Sequence, residues 1–281
     1  MPDDPARFEL PEYENPPVVE TILGIQFDRM PSFQNAHLGA FWKTLDSAKW
    51  PVVKDAPPLP TRFERFEETA RWAKAIHLEL TQDPTCRLQI RNHDGDRMIQ
   101  LQNGRIHFNW LGQTGSNYPR YNIIRNEFEV VLEKLVKFIN QEQIGRFQPN
   151  QWEVTYVNHI PAGTVWNGPN DWTFCRLLCP LPSVDNLFEG ESFNGEWHFR
   201  IPEERGRLYV TWQLAQQMDV QERDDGFVRL SLTARGPVGN STDDVQVVFE
   251  EGLEVGRSII VKTFKALMSD EANQFWGLKN A

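Results

Sequence analysis

The chain has 281 residues, a formal net charge of −10 at pH 7 and a hydrophobic content of 40%. Its 10 Trp and 18 Phe exclude a disordered chain, because disordered chains are poor in aromatic residues. At about 100–200 residues per domain, this length predicts one large domain or two small ones with a substantial core. The acidic balance argues against wholesale binding to DNA or to a membrane, since both favour a basic surface, but it allows a local basic patch.

Residues 1–13 carry acids and prolines where a signal peptide has a basic start and an apolar run. No stretch approaches the roughly 18 consecutive apolar residues of a membrane span. The cysteines are Cys86, Cys175 and Cys179, an odd and small number that does not suit a secreted disulfide framework. We therefore expect a cytoplasmic protein with buried, reduced thiols. Cys175 and Cys179 could form half of a metal site, but no second pair or nearby His completes it.

The first elements are an arm, a strand, a helix and a connector. Residues 1–15 are expected to form a flexible arm, and residues 16–27 are expected to form a strand that begins at two prolines. Ser32 is the expected N-cap of a helix whose apolar residues recur every three or four positions, at Leu38, Phe41, Trp42, Leu45 and Ala48. The following prolines end this helix and predict a stiff connector; they are Pro51, Pro57, Pro58 and Pro60.

Strands with alternating apolar and polar residues come next, at 76–80, 86–91, 98–101 and 106–110. Asn103-Gly104 predicts the hairpin turn between the last two. An alternation with one apolar face predicts an antiparallel sheet that is covered on one side. The cover is a long helix at about 119–141, with an apolar stripe that includes Ile124, Phe128 and Leu135.

The second half of the chain repeats this order. It has a strand at 152–160, an irregular segment at 161–190, strands near 197–201, 208–214 and 228–234, and a final helix from about Ser241. A constant offset of 121 residues relates His77 to His198, Leu88 to Tyr209 and Ile124 to Val245. Gly252 and Gly256 lie on the apolar stripe of the last helix, where each costs about 1 kcal/mol, so we expect a close approach to a neighbouring element. Ser269 is the expected cap of a short terminal turn.

These patterns predict an α+β fold, a tandem pseudo-repeat of strand, helix, antiparallel strands and long helix. The halves, 16–145 and 150–281, are expected to form a single domain with one curved antiparallel sheet and helices packed on one face. This arrangement resembles the TATA-binding-protein-like fold, in which two such repeats merge into one curved sheet.

Three short motifs carry a resemblance to a sporadically distributed bacterial family of uncharacterised proteins. They are Asn15-Pro16-Pro17-Val18-Val19-Glu20 continuing to Gln26-Phe27, then Tyr156-Val157-Asn158-His159-Ile160, and Phe264 followed by Asp270-Glu271 and Phe275-Trp276-Gly277. The resemblance implies no known activity, cofactor or catalytic residue.

The polar face of the sheet carries the main candidate binding residues. The residues opposite the apolar set include six arginines but only two glutamates, on a protein that is acidic as a whole. The candidates are His77, Arg87, Arg91, Arg105, His107, His198, Arg200, Arg207, Tyr209 and Arg229. Arginine has a planar fork that suits carboxylate or phosphate, so this face could hold an anionic ligand, a nucleic-acid strand or an acidic peptide. The alternative is the solvated side of an ordinary sheet, where cross-strand Arg–Glu pairs are common.

Trp166 and Trp172 frame a loop that either binds a partner or is pinned to the body by its tryptophans. Enzyme signatures are missing: there is no phosphate-binding glycine loop, no Gly-x-Ser-x-Gly elbow and no His-Glu-x-x-His helix. His77, His107 and His198 could share a face and bind zinc, but they belong to different strands. The sequence therefore predicts no catalytic residue, no metal site and no cofactor.

We expect a non-enzymatic binding or adaptor module that holds a protein partner or an anionic small molecule on the polar face of its sheet. Bulk DNA binding and membrane association are not expected. Two alternatives stay open. One is an enzyme that acts on an anionic small molecule with His and Arg from this face; the other is a subunit of a multi-protein complex or a homo-oligomer, docked through Phe275 and Trp276.

Overall fold

The computed structural model describes residues 10–66, 86–112, 117–168, 171–177, 191–215, 226–239 and 247–279. Within these ranges the strands are β1 (Val18–Phe27), β2 (Val52–Ala56), β3 (Arg87–Arg91), β4 (Arg97–Gln102), β5 (Arg105–Leu111), β6 (Pro149–Pro161), β7 (Asn194–Ile201), β8 (Gly206–Ala215) and β9 (Phe227–Pro237). The helices are α1 (Asn35–Thr44), α2 (Tyr121–Gln141), α3 (Glu254–Leu267) and α4 (Asp270–Phe275). A π-helical turn at Val248–Leu253 runs directly into α3.

The strands pair antiparallel in one sheet with the order β2-β3-β4-β5-β1-β6-β9-β8-β7. Side chains alternate between its two faces, so that Leu23 and Ile25 of β1 lie fully buried on the apolar face while Gln26 lies on the polar face. The long helices pack on the apolar face. The predicted α+β class, a curved antiparallel sheet with helices on one side, is confirmed.

The strand order is similar on both sides of the central β1–β6 pair. Outward from this pair lie β5, β4 and β3 on one side, and β9, β8 and β7 on the other. The predicted offset of 121 residues fails for Leu88 and Tyr209, because Leu88 lies in β3, third from the centre, whereas Tyr209 lies in β8, second from the centre. The other two predicted pairs include His77 and Val245, which lie outside the described residues. The connections differ in length: Asn103-Gly104 joins β4 to β5, while residues 216–226 join β8 to β9.

The core is built where the helical stripes meet the apolar face. Phe128 of α2 is fully buried, and its ring centroid lies 6.1 Å from that of Phe108 in β5. The Phe128 ring centroid also lies 5.5 Å from that of Phe249 in the π-helical turn. Because full burial of such a side chain contributes about 1.5–3 kcal/mol, Phe128 is a main link between α2, the sheet and the π-helical turn.

Trp152 of β6 explains the glycines of the last helical stripe. A Cβ atom on Gly252 would lie 2.7 Å from the Trp152 ring, and one on Gly256 would lie 2.8 Å from it. Gly236 of β9 completes the enclosure, with a Cβ position 2.6 Å from the same ring. The predicted close approach of the helix backbone is confirmed, and Trp152 is the group that requires it.

Several local predictions change. α1 begins after Gln34 rather than at a Ser32 cap, because His37 Nδ1 accepts a hydrogen bond from the Gln34 N–H at 2.8 Å. The predicted connector contains β2, an edge strand bounded by prolines, which sheets tolerate at their edges. The Ser269 cap is confirmed, since its hydroxyl accepts from Ala272 N at 3.1 Å.

Some predictions fall outside the described residues: the strand at 76–80 with His77, the start of the final helix near Ser241, and Cys179. Among the other cysteines, Cys175 is buried and Cys86 is half-buried.

In the part of the chain that is described, no helix has both the length and the apolar character needed to span a bilayer.

Candidate functional site

The polar face carries a row of charged residues that the strand register sets side by side. His107 of β5 is opposite Gly24 of β1, and Gly24 is opposite Glu153 of β6. The row continues through Arg235 of β9 to Arg207 of β8. Glu153 and Arg235 form an opposite-charge cross-strand pair, as cross-strand pairing favours, whereas Arg235 and Arg207 are like charges on neighbouring strands.

Residues 57–66, called the strap below, lie across this row. Gln102 of β4 binds the Leu59 backbone twice: its Oε1 accepts from Leu59 N at 2.8 Å and its Nε2 donates to Leu59 O at 2.9 Å. Gln151 of β6 does the same further along, accepting from Glu64 N at 2.9 Å and donating to Arg62 O at 2.8 Å. These amide side chains satisfy main-chain groups of the strap as a neighbouring strand would.

Between these two anchors, Gln26 of β1 holds the middle of the strap. Its Oε1 accepts from Arg62 N at 3.2 Å and also from Arg105 Nη2 at 2.7 Å. Arg105 is itself buried, and burial lowers the pKa of its guanidinium. This predicted anion-binding residue therefore orients a glutamine beneath the strap.

Glu64 is the central contact of the strap. Only 2% of its side chain is exposed, and its carboxylate forms an ion pair with Arg207. Tyr209 OH donates to Oε1 at 2.6 Å, and Arg235 Nη1 lies 3.4 Å from the same oxygen. A carboxylate held by two guanidinium groups and a phenol is a strong, charge-assisted arrangement in a site with little water.

The strap ends on a platform of arginines. The guanidinium carbons of Arg200 and Arg207 lie 5.6 and 5.3 Å from the ring centroid of Phe66. Arg200 Nη2 also donates to Phe66 O at 3.3 Å, and Arg207 Nη2 donates to Arg65 O at 3.2 Å. The platform thus combines cation–π contact with recognition of main-chain carbonyls.

His107 and Glu153 lie close together in the row, and His107 is buried. Burial lowers the pKa of His107 to about 4, in spite of Glu153 Oε1 at 3.7 Å from its Nε2. Burial alone would raise the pKa of Glu153, but Arg235, His107 and Arg105 together lower it to about 2. His107 is therefore neutral and Glu153 ionised near neutral pH. A Cβ on Gly24 would lie 2.6 Å from His107 Cδ2, so the glycine makes room for this imidazole.

The structure brings some of the predicted residues together and separates others. Arg105, Arg200, Arg207 and Tyr209 gather around the strap. His198 lies next to this group, with its ring 4.5 Å from that of Tyr209, and pairs with Glu196 at 2.9 Å. His107 lies near Glu153, Arg87 donates to Gln100 at 2.8 Å, and Arg91 and Arg229 are exposed. His107 and His198 do not come together, because four strands at about 4.8 Å spacing lie between them. Within the described ranges no group of metal-ligating residues occurs.

Sequence reasoning missed three charged residues of this face, Glu64, Glu153 and Arg235. Glu153 could have been found, since Gln151, Glu153 and Thr155 alternate with the apolar residues of β6. Glu64 follows the proline-rich stretch and has no periodic signal. Because two carboxylates lie among the arginines, the positive excess expected for this face is partly neutralised from within the chain.

The predicted tryptophan loop has a structural role at one end. Trp166 is fully buried, donates from Nε1 to Ile160 O at 2.8 Å and packs near Phe174, so it pins the loop and is not open to a partner. Trp172 is half-buried, with its ring 4.4 Å from that of Phe193. At the chain end, Trp276 is also buried, whereas Phe275 is 56% exposed.

Comparison of the chain with models of protein families, with curated proteins and with solved structures gives no match. The resemblances to a bacterial family and to the TATA-binding-protein-like fold therefore stay predictions.

Proposed function

We propose that the protein is a non-enzymatic adaptor whose polar sheet face binds an extended acidic segment of a protein partner, with the strap as the resident occupant that this segment displaces. The observation that carries the proposal is the Glu64 carboxylate, buried between Arg207, Arg235 and Tyr209. An acidic peptide that enters the same groove would present the same group to the same residues.

The composition of the strap supports its exchange. None of its residues belongs to the apolar core, and Phe63 is 54% exposed. Apart from the Glu64 ion pairs and the arginine contacts of Arg65 and Phe66, the strap is attached through neutral amide hydrogen bonds. Each of these contributes only about 0.5–1.5 kcal/mol net, since water can replace the partner. A segment held in this way can leave without opening the core of the sheet.

The contacts also define the partner. Gln26, Gln102 and Gln151 bind main-chain atoms, so they impose no side-chain preference. Side-chain selection comes from the Glu64 pocket and from the arginine platform under Phe66. We infer a recognition pattern of glutamate followed two residues later by an aromatic residue, preceded by an extended, proline-rich stretch that loses little entropy on binding.

The enzyme alternative has less support. His107 is buried and neutral near neutral pH, and His198 lies 2.9 Å from Glu196 with its ring 4.5 Å from that of Tyr209. The two histidines belong to β5 and β7, so they do not meet at one ligand. The alternative in which the protein is a subunit of a complex is compatible with the adaptor proposal, since an adaptor functions within an assembly.

A labelled peptide with the sequence of residues 57–66 tests the proposal by fluorescence anisotropy. In the wild-type protein the tethered strap competes at an effective concentration of about millimolar, so added peptide binds weakly. Glu64→Gln weakens this competitor, and we expect the peptide to bind this variant at least about tenfold more tightly. Adding Arg207→Ala to Glu64→Gln should remove the gain.

Glu196→Gln is the matched control, because it removes an exposed carboxylate of the same face that pairs with His198 and, within the described residues, has no hydrogen bond or ion pair with the strap. Equal peptide affinity for the wild-type protein and the Glu64→Gln variant would contradict the proposal, as would binding that survives the Arg207→Ala substitution.

A further inference from the structure

A cavity lies on the apolar face of the sheet, opposite the strap, between the long helices α2 and α3. Its volume is about 280 Å³. Tyr156 of β6 and Leu232 of β9 belong to its floor, and Phe264 of α3 belongs to its wall. The remaining wall is formed by residues within 11–16. Hydrogen bonds such as Glu14 N to Gly277 O at 2.9 Å hold this segment against the end of the chain. The volume is close to the lower end of the roughly 300–1,000 Å³ found for small-molecule sites.

Tyrosines dominate the lining of this cavity. The whole chain has 5 Tyr, and four of them line it: Tyr13, Tyr118, Tyr121 and Tyr156. The hydroxyls of Tyr118 and Tyr156 lie 3.1 Å apart. Burial raises the pKa of both phenols, so they remain neutral and can donate hydrogen bonds near neutral pH. Such a lining offers flat apolar surfaces together with polar edges.

Positive charge is placed at the same cavity. Arg257 of α3 lines it, with its guanidinium carbon 4.6 Å from the centroid of the Tyr121 ring. Arg257 Nη1 is 3.7 Å from Glu254, and no hydrogen bond links this guanidinium to another residue in the described ranges. Its donors are therefore available to a ligand in the cavity.

The start of α2 adds to this positive field. The helix begins at Tyr121 beside the cavity, and no side chain caps its first turn. The preceding residue, Arg120, also lines the cavity and has a φ of 76°, a left-handed conformation that non-glycine residues rarely adopt. Its guanidinium donates to Tyr13 O at 2.7 Å, which holds the N-terminal wall against the helix. Arg120, Arg257 and the helix terminus therefore place positive charge beside Glu12, the acidic residue of the lining. Glu254, which lies 3.7 Å from Arg257, is shared with Arg125 at 3.3 Å.

We propose that this cavity binds a small, single-ring aromatic acid, with its carboxylate at Arg257 and the start of α2 and its ring among the tyrosines, Leu232 and Phe264. The site is on the helical face, so it is separate from the groove under the strap. Its ligand and the proposed acidic partner bind independently, and the failure of one proposal leaves the other standing.

Isothermal titration calorimetry with phenylacetate, and with phenylacetamide as its neutral counterpart, tests this inference on the full chain. We expect saturable binding of phenylacetate, with phenylacetamide weaker by about tenfold or more, because the amide lacks the charge that strengthens a hydrogen bond with a guanidinium. Arg257→Gln should weaken phenylacetate to the level of phenylacetamide.

Arg125→Gln is the matched control, since Arg125 pairs with the same Glu254 at 3.3 Å but does not line the cavity. A second variant, Val261→Phe, fills the cavity and should abolish binding of both probes. Absence of saturable phenylacetate binding at millimolar concentration, equal affinity for the acid and the amide, or equal losses in Arg257→Gln and Arg125→Gln would each overturn the inference.

Discussion

Replacing Glu64 by Gln should release the strap while the sheet stays folded. The substitution keeps the size of the side chain, and the amide oxygen of Gln can still accept the hydrogen bond that Tyr209 donates. It removes the charge that pairs with Arg207 and Arg235. Breaking a buried ion pair costs about 3–5 kcal/mol when it leaves a charge uncompensated, and relaxation of the two arginines toward water lowers this cost. We therefore expect a loss of about 3 kcal/mol in the local stability of the strap, which is about two powers of ten in its opening equilibrium.

Amide hydrogen exchange measures this opening residue by residue. The reporters are the N–H groups of Leu59, Arg62 and Glu64, which donate to Gln102, Gln26 and Gln151. Their exchange should become about a hundredfold faster in the variant, while an amide of the β1–β6 pair such as Val154 keeps its protection. If the strap amides keep their protection, Glu64 does not hold the strap; if the central amides lose it equally, the strap is part of the cooperative core and not an exchangeable occupant.

Four further predictions concern stability. Phe128→Ala should lower the free energy of unfolding by about 3–5 kcal/mol in denaturant titrations, because it empties the contact with Phe108 and Phe249; an effect below 1 kcal/mol, on the order of a surface change, would refute that role. Gly252→Ala should lower the thermal midpoint in spite of the higher helix propensity of Ala, since its Cβ would lie 2.7 Å from the Trp152 ring; a higher midpoint would refute this. Glu153 has a pKa lowered from 4.5 to about 2, so the stability it contributes is present above pH 4.5 and is lost as the pH falls toward 2; Glu153→Gln should remove this slope of up to about 1.4 kcal/mol per pH unit. His107 has a pKa lowered from 6.5 to about 4, so the unfolded chain binds the proton first and stability also falls between pH 6.5 and 4; His107→Gln should flatten that window, and an unchanged profile would mean that the imidazole is not buried as described.

The regular part of the fold could be predicted because its signal is local. Alternation in β4, β5, β8 and β9 and the stripe of α2 reflect one apolar face in each element, and the positions of Gly252 and Gly256 pointed to a close contact before its partner was known. The pairing of these strands confirms the architecture. The predicted constant offset failed for Leu88 and Tyr209 because the strands on the two sides of the central pair are not equally spaced along the chain.

The candidate sites could be predicted only in part because their contacts are distant in sequence. Glu64 is 145 positions from Tyr209 and 171 from Arg235, and no pattern around residue 64 indicates a buried carboxylate. The polar face was located from its arginines. Which of these arginines are exposed to a ligand depends on the strap, whose residues were predicted only as a connector. The tyrosine cavity is assembled from residues 13, 118, 121 and 156, which share no motif and meet only after the two halves pack.

The central claim is that the strap and an acidic peptide compete for one groove. The most direct measurement adds unlabelled peptide of residues 57–66 to isotopically labelled wild-type protein at saturating concentration, and follows exchange at the strap amides of Leu59, Arg62 and Glu64. The account predicts that these amides lose protection in proportion to the peptide bound, while the amides of the β1–β6 pair do not change. Peptide binding that leaves the strap amides protected, or no binding at all, would contradict it.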